Sequence, residues 1–478
     1  MDPFDPPLDT ARHLRYWQRC IRTLLPHHYT SMDSTRLSLG FFIICSIDLL
    51  TPSEEATTTT TTKPLLTSTD RANLRRWVLS CQHPLGGFTA SPTHVFAPQY
   101  QQSDAENAHI GGTYFALLLL ALLSEDNDDN SAGGAFAGVN RVATLRWLRR
   151  LQRPEDGSFG EVVYDAPAVP GQDEKRESVI AGGKDMRYSY LAAAVRWMLR
   201  GDLSPSHPAY VEDIDVPALV AHIRRGQTYD GGFAESCAHE SHAGYGYCAV
   251  AALALLDRPL ECSGEGRASR VVEEGIADRK GFVAWLASRQ FAYLAPENEA
   301  DDEDEDDDPA TANFRLAELS LSESTTTPQL IGFNGRCNKV ADTCYTWWTL
   351  GSLAVLDLPD STDPAAIQAQ RRFLLEKTQH IIGGFGKHPG SPPDVGHACL
   401  GLAALATMGD PALKKLDASL CVSVETVRKV EKARRVLLEG SGTTENDPDC
   451  QKWSLADRLV NTAARMGGGR PEWLDAMA

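Results

Sequence analysis

One short phrase recurs along this chain: a glutamine, a gap of a few residues, one or two glycines, then a phenylalanine. It reads CQHPLGGFTA at 81–90, LQRPEDGSFG at 151–160, GQTYDGGFAE at 226–235 and TQHIIGGFGK at 378–387. A weaker fifth copy, IGFNGR at 331–336, carries no Gln in register. Phe88, Phe159 and Phe233 fall about 70 residues apart, and the interval to Phe385 holds about two more periods with Phe333 between them. Glycine permits backbone angles that other residues resist, so each copy marks a turn.

Helical patterns flank the turns. Before them lie amphipathic segments such as RVATLRWLRR (141–150) and RRFLLEKT (371–378). After them lie segments apolar nearly all round: GGTYFALLLLALL (111–123), YSYLAAAVRWML (188–199), YGYCAVAALALL (245–256), CYTWWTLGSLAVL (344–356) and HACLGLAALATM (397–408). A helix of the second kind is buried on both sides, and one of the first kind belongs to an outer layer. Period-two strand patterns are scarce. The expectation is an all-α array of helical hairpins. Closed on itself it forms an α/α toroid, with an inner ring of apolar helices and an outer ring of amphipathic ones. The turns and the inner-helix N-termini then gather at one rim.

The chain is read as a single domain over 1–478, interrupted by low-complexity insertions at about 52–64 and 295–328 and ending in a flexible tail. The first insertion holds TTTTTT (57–62) and the second ENEADDEDEDDD (297–308), both read as solvated loops. The Gly467–Gly469 run belongs to the tail and has no strand before it, so it is no phosphate loop. The net charge of −18 argues against nucleic acid as the main partner. No stretch of about 18 apolar residues predicts a membrane span, and the first residues carry no secretory pattern. Eleven cysteines, an odd number without framework spacing, fit reduced thiols in the cytoplasm.

Helix N-termini offer free N–H groups and partial positive charge to an anion. Polar residues stand at those ends here: Arg187, His242, Asp342 with Cys344, and His397. A closed ring brings the starts of neighbouring inner helices together, so Asp342, Cys344 and His397 become one carboxylate, one thiolate and one imidazole. Three such ligands with a fourth position open form a catalytic zinc set. From spacing alone a helix cap is the competing reading for a lone His there, and solvated turn charge is the competing reading for Arg336 and Lys339.

Four segments, DMRYSYLAA (185–193), ESHAGYGYC (240–248), GFNGRCNKVADTCYTWW (332–348) and GGFGKHPGSPPDVGHACLGL (383–402), are similar to the β-subunits of the protein prenyltransferases. The resemblance covers nearly the whole chain apart from the two insertions. It implies one catalytic Zn2+ held by Asp342, Cys344 and His397, and transfer of an isoprenoid to a peptide cysteine held as a zinc-bound thiolate. It assigns His242, Arg336, Lys339 and Tyr345 to the diphosphate of an allylic donor. It also implies an isoprenoid funnel lined by Ser38, Tyr114, Arg187, Tyr190, Ala243, Gly244, Tyr245, Cys248, Trp347 and Trp348. By periodicity alone such an aromatic stripe is core packing.

Within the family the chain looks most like the geranylgeranyl type I branch. In the farnesyl branch a Trp stands where this chain has Ser38, and an Asp that helps bind magnesium stands where it has Lys387. A small residue leaves room for another C5 unit, which implies the C20 donor geranylgeranyl diphosphate. A Lys ammonium supplies positive charge in place of the ion, so Lys387 is placed on the diphosphate and Mg2+ is not required. The peptide would end in CaaX with X mostly Leu, as on Rho-type small GTPases. The partner would be a helical-repeat α-subunit. CYTWW and Gly396 depart from the type I wording and leave the fine peptide preference open. The farnesyl and Rab-directed branches remain alternatives. Outside the family, helical-barrel terpene cyclases use a D-x-D-D acid, and DNDD occurs at 126–129, but in a polar loop where no acid is kept protonated by burial. A non-catalytic toroid would lack the Asp342, Cys344 and His397 set.

Overall fold

The computed structural model describes residues 6–52, 64–92, 108–125, 134–165, 178–201, 203–259, 270–293, 330–358 and 364–439. The Thr tract, DNDD, the acidic run and Gly467–Gly469 lie outside them.

Helices α1 (Thr10–Arg22), α2 (Arg36–Leu50), α3 (Ser68–Leu79), α4 (Ile110–Leu123), α5 (Arg141–Arg150), α6 (Met186–Leu199), α7 (Val216–Arg225) and α8 (Ala243–Asp257) alternate between outer and inner positions. A short α9 (Val271–Gly275) precedes outer α10 (Arg279–Ala287), inner α11 (Thr343–Val355), outer α12 (Pro364–Phe373), inner α13 (Val395–Thr407) and a last helix, α14 (Val424–Glu439). The six inner helices pack in the order α2, α4, α6, α8, α11, α13, and α13 packs on α2, which closes the ring. α8 and α2 therefore stand opposite one another, three places apart either way round. The inner helices are buried along most of their length, as their uniform apolarity requires: on α4 every residue but Phe115 is buried.

The structure explains the recurring glutamine. Gln82, Gln152, Gln227 and Gln379 each pair with the phenylalanine of their own turn, Phe88, Phe159, Phe233 and Phe385. The side-chain amides of the first three clasp the chain entering the next outer helix. Asn140, Asp215 and Asp278, the N-caps of α5, α7 and α10, each donate a backbone N–H to the Gln carbonyl oxygen at 2.7–2.8 Å. The glycine beside them leaves no room for a side chain: a Cβ on Gly86, whose φ is +109°, would sit 2.2 Å from the Ala143 carbonyl of α5. At the last turn the clasp is a side chain, with Gln379 Oε1 2.9 Å from Nε2 of the buried His13 on α1.

The fifth copy corrects the sequence reading. It does possess its glutamine. Strands β3 (Gln290–Tyr293) and β4 (Leu330–Phe333) pair antiparallel with Gln290 opposite Phe333. The long insertion separates the two halves of this one turn, which is why the register was lost in the sequence. Two further short hairpins complete the strand content of the described residues: β1 (Val162–Asp165) with β2 (Ser178–Ala181), and β5 (Leu416–Asp417) with β6 (Val422–Ser423).

A second regularity joins the repeats at the rim. A first-turn N–H of five of the six inner helices donates to the carbonyl two residues beyond the phenylalanine of the next repeat. The bonds run Leu37 to Ala90, Ile110 to Glu161, Met186 to Glu235, Ala243 to Gly335 and Thr343 to Lys387, all at 2.8–3.0 Å. The sixth seam, between α13 and the start of the chain, has no such loop; there Val395 N–H donates to the Tyr29 hydroxyl at 2.8 Å.

The opposite end of the ring is closed by 414–434. Lys414 N–H donates to the Leu49 carbonyl at the end of α2. Lys429 Nζ donates to the Ser124 carbonyl after α4 and Arg434 to the Arg200 carbonyl after α6. Cations here satisfy orphan carbonyls and oppose the negative helix ends. The buried Leu420 and Cys421 push into the ring, with Tyr114 Oη 3.3 Å from the Leu420 carbonyl and Tyr247 Oη 2.8 Å from that of Ala418. No helix among the described residues is long and apolar enough to cross a membrane. The cysteines among them are free thiols.

Candidate active site

Three ligand atoms converge where the rim ends of α11 and α13 meet. One oxygen of Asp342, the Cys344 sulfur and a ring nitrogen of His397 all lie within 4.8 Å of one another. Asp342 is the N-cap of α11, and its Oδ1 accepts from the N–H groups of Cys344 and Tyr345 at 2.8 and 3.2 Å. The N-cap of α11 is thus also one of the three candidate metal ligands, whereas His397 does not cap its helix: Asp394 does. Cys344 opens α11 beside it. Burial, then the neighbouring Asp342 carboxylate, push its thiol well above the usual range. A carboxylate and a thiol packed together without a cation disfavour the thiolate; a divalent ion between them reverses that. The donor set therefore fits Zn2+.

His397 is oriented by a residue that sequence reasoning missed. Its Nδ1 lies 2.6 Å from Asp394 Oδ2, while Asp394 Oδ1 caps α13 through the His397 N–H at 2.9 Å. Nδ1 carries the proton, and the lone pair of Nε2 is left for a ligand. An Asp three residues before a candidate ligand His, at a helix start, was the available signal.

His242 is the N-cap of α8, and its Nδ1 accepts from Gly244 N–H at 3.0 Å. Burial foremost, then the Arg336 charge, depress its pKa, so the ring is neutral and Nε2 holds the proton. That N–H faces the Tyr345 hydroxyl across 3.4 Å. His109 caps α4 in the same way, but its Nε2 is taken by Glu161 at 2.6 Å. Arg336 pairs with Glu240 at 2.9 Å across a cavity of about 330 Å³, lined also by His242, His239, Tyr245 and Glu235. Glu240 is a second partner that sequence reasoning missed. Lys339 is exposed on the same turn. Lys387 is exposed at the seam carbonyl that receives Thr343 N–H, and its charge acts on the Cys344 thiol.

The residues expected along the funnel separate into four groups. Ser38, Gly244, Tyr245 and Trp348 are half-buried at the rim ends of α2, α8 and α11. Ser38 returns its hydroxyl to the Thr35 carbonyl at 2.7 Å. Phe42, one turn below Ser38, and Leu400, one turn below Gly396, are half-buried on the same helix faces and were not foreseen. Tyr114 and Tyr190 lie deeper, fully buried, with their hydroxyls 2.8 Å apart, and with Tyr247 they form an aromatic floor above the 416–423 segment. Cys248 is buried beside α6, where burial raises its pKa. Ala243 and Trp347 are not brought to the opening. Ala243 is buried at a seam, and Trp347 is buried against Tyr247 at 5.3 Å between ring centroids. Arg187 is exposed at the rim, in a fork with Asp185 and 5.9 Å from the Tyr245 ring centroid.

Residues 8–422 match the model of the prenyltransferase alpha-alpha toroid domain. The chain is 26% identical over 436 residues to the geranylgeranyl transferase type-1 subunit beta of Arabidopsis thaliana, an alignment covering 87% of this chain and 91% of the relative. It is 26% identical over 424 residues to the subunit of the same name from Dictyostelium discoideum, with 87% and 95% covered. Among solved structures it is similar to Candida albicans protein geranylgeranyltransferase-I complexed with GGPP, with a TM-score of 0.63, 24% identity, and coverage of 89% of this chain and 99% of that one.

Proposed function

The chain belongs to the prenyltransferase alpha-alpha toroid family, and on that premise we propose that it is the β-subunit of a type I protein geranylgeranyltransferase. It moves a C20 isoprenoid from geranylgeranyl diphosphate to the cysteine of a C-terminal CaaX peptide, with Leu favoured last. The observation that carries this reading is the convergence of Asp342, Cys344 and His397 at the same rim as the His242, Tyr245 and Arg336 cavity.

Asp342, Cys344 and His397 would hold Zn2+, which when bound supplies the positive charge that ionises the substrate thiol. In the reaction the sulfur–carbon bond forms at C1 of the isoprenoid, the C1–oxygen bond breaks, and diphosphate departs with the electron pair. His242 donates from Nε2 and Tyr345 from its hydroxyl to the departing oxygens. Arg336, Lys339 and Lys387 supply positive charge there, aimed where negative charge develops. Glu240 holds Arg336 at the cavity until the donor arrives. Lys387 takes the place of a magnesium ion.

The isoprenoid runs from the α8 and α11 side of the ring toward the opposite wall, which is α2. Ser38 and Phe42 stand at the end of that path, and the small side chain at 38 supports the longer donor. Tyr245 and Trp348 form its near walls. The α-subunit is a helical-repeat partner that completes the enzyme in the cytoplasm, and the acceptors are Rho-type small GTPases.

The test is a competition. The chain, co-expressed with its α-subunit, receives equal labelled C15 and C20 diphosphates and peptides ending in Leu or Ser, with and without Mg2+. Transfer of C20 to the Leu peptide without Mg2+ is expected. Transfer of C15 that requires Mg2+ would overturn the type I reading and the roles of Ser38 and Lys387.

A further inference from the structure

Five of the six seams of the inner ring are closed by backbone carbonyls, each from the loop of the next repeat. The sixth cannot be, because no glycine turn precedes α2. At that seam the acceptor is a side chain: Tyr29 Oη receives the Val395 N–H at 2.8 Å. Val395 is buried, begins α13, and stands two residues before His397. The same turn holds Asp394, which fixes the imidazole. Tyr29 itself lies on the short 3-10 segment His27–Thr35 that leads into α2.

We infer that Tyr29 is a positioning residue for the metal-binding histidine, acting through Val395 N–H to lock the first turn of α13 against the start of the chain. This rests on the proposed function, since it takes His397 as a ligand. The physics is that of a buried donor. Without the phenol oxygen the Val395 N–H has no partner at this seam, and a buried unpaired N–H drives its turn to rearrange. The turn that moves is the one carrying Asp394 and His397. At the other seams no side-chain substitution can remove the acceptor, so the ring is open to this perturbation only beside the metal site. Residues that orient a metal ligand commonly change affinity by 10- to 100-fold when removed.

The test compares three proteins, each the full chain co-purified with its α-subunit: wild type, Tyr29→Phe, and Gln152→Ala. The last loosens a clasp far from the metal site. Zinc affinity is read by chelator competition, and the ligand geometry by the visible spectrum of the Co2+-substituted protein. The expected result is roughly 10-fold weaker zinc binding in Tyr29→Phe with an altered Co2+ spectrum, and unchanged values in Gln152→Ala even if its melting temperature falls. Equal affinity and spectrum in wild type and Tyr29→Phe would overturn the inference. So would an equal loss in Gln152→Ala, since the effect would then be general loosening. Failure of the wild type to bind zinc at all would instead sink the proposed function.

Discussion

Asp394 holds His397 at both ends of one residue: one carboxylate oxygen accepts its backbone N–H and the other lies 2.6 Å from its ring Nδ1. Cap and orienting carboxylate are thus one group. The Asp394→Asn variant should keep the cap, since Asn caps as well as Asp. It should lose the charged partner of the ring Nδ1–H. Zinc affinity is expected to fall about 10- to 100-fold with little change in melting temperature. Asp394→Ala should add a stability loss of about 1 kcal/mol from the missing cap. Isothermal titration with zinc alongside thermal melts separates the two effects, and an unchanged affinity in the Asn variant would show that the imidazole needs no orientation.

Ser38 stands on the helix opposite His242 in the ring. A Trp there would fill the far end of the proposed isoprenoid path. Ser38→Trp is expected to reverse the donor preference from C20 to C15, changing the ratio of the two kcat/KM values by roughly 100-fold or more. An unchanged ratio would mean the isoprenoid runs elsewhere in the ring.

How much of this was legible in the sequence depends on where the signal sat. The repeat and the apolar inner helices were legible because each is a local pattern with a local cause. Asp342, Cys344 and His397 were legible as helix starts, although only ring closure brings residues 342 and 397 together. Gln290 was not legible, because its partner Phe333 lies beyond a long insertion and turn patterns are recognised by short separation. Asp394, Glu240 and Tyr29 act through contacts with residues from other elements or through one exact side-chain geometry, which periodicity does not encode. Trp347 and Trp348 are adjacent, yet one is in the core and the other at the opening, because neighbours on a helix differ by about 100°.

The β3–β4 pairing makes the second insertion removable. Tyr293 stands opposite Leu330, so a two-residue Asn-Gly turn can join them in place of 294–329. The shortened chain is expected to keep the ring, its zinc affinity and its donor preference, with stability raised by up to about 2.5 kcal/mol, since each halving of loop length recovers about 0.6 kcal/mol. Loss of soluble protein would assign the insertion a structural role.

His13 makes ring closure sensitive to acid. Its Nδ1 accepts from Gly384 N–H at 3.2 Å and its Nε2 meets Gln379, an arrangement only the neutral ring can hold. Burial depresses its pKa, with the Gln379 contact pulling the other way. A depressed folded value means the unfolded chain takes the proton more readily. The stability from neutral His13 is therefore complete above the unfolded value of about 6.5 and is lost as pH falls from there through the folded value. Burial depresses His222 and His242 as well, which adds in the same direction. Urea melts from pH 8 to pH 5 should show a falling midpoint below about 6.5, and His13→Asn should flatten the slope by up to one proton. An identical slope in the variant would move the acid sensitivity to other groups.

On the proposed function, Asp342, Cys344 and His397 together hold the ion on which transfer depends. The most direct measurement is metal content by mass spectrometry on the purified heterodimer, wild type and Cys344→Ala, with C20 transfer to a Leu-ending peptide assayed on the same samples. One zinc per wild-type heterodimer is expected, with loss of both zinc and transfer in Cys344→Ala while the melting transition is still present. Full zinc occupancy and undiminished transfer in Cys344→Ala would contradict it.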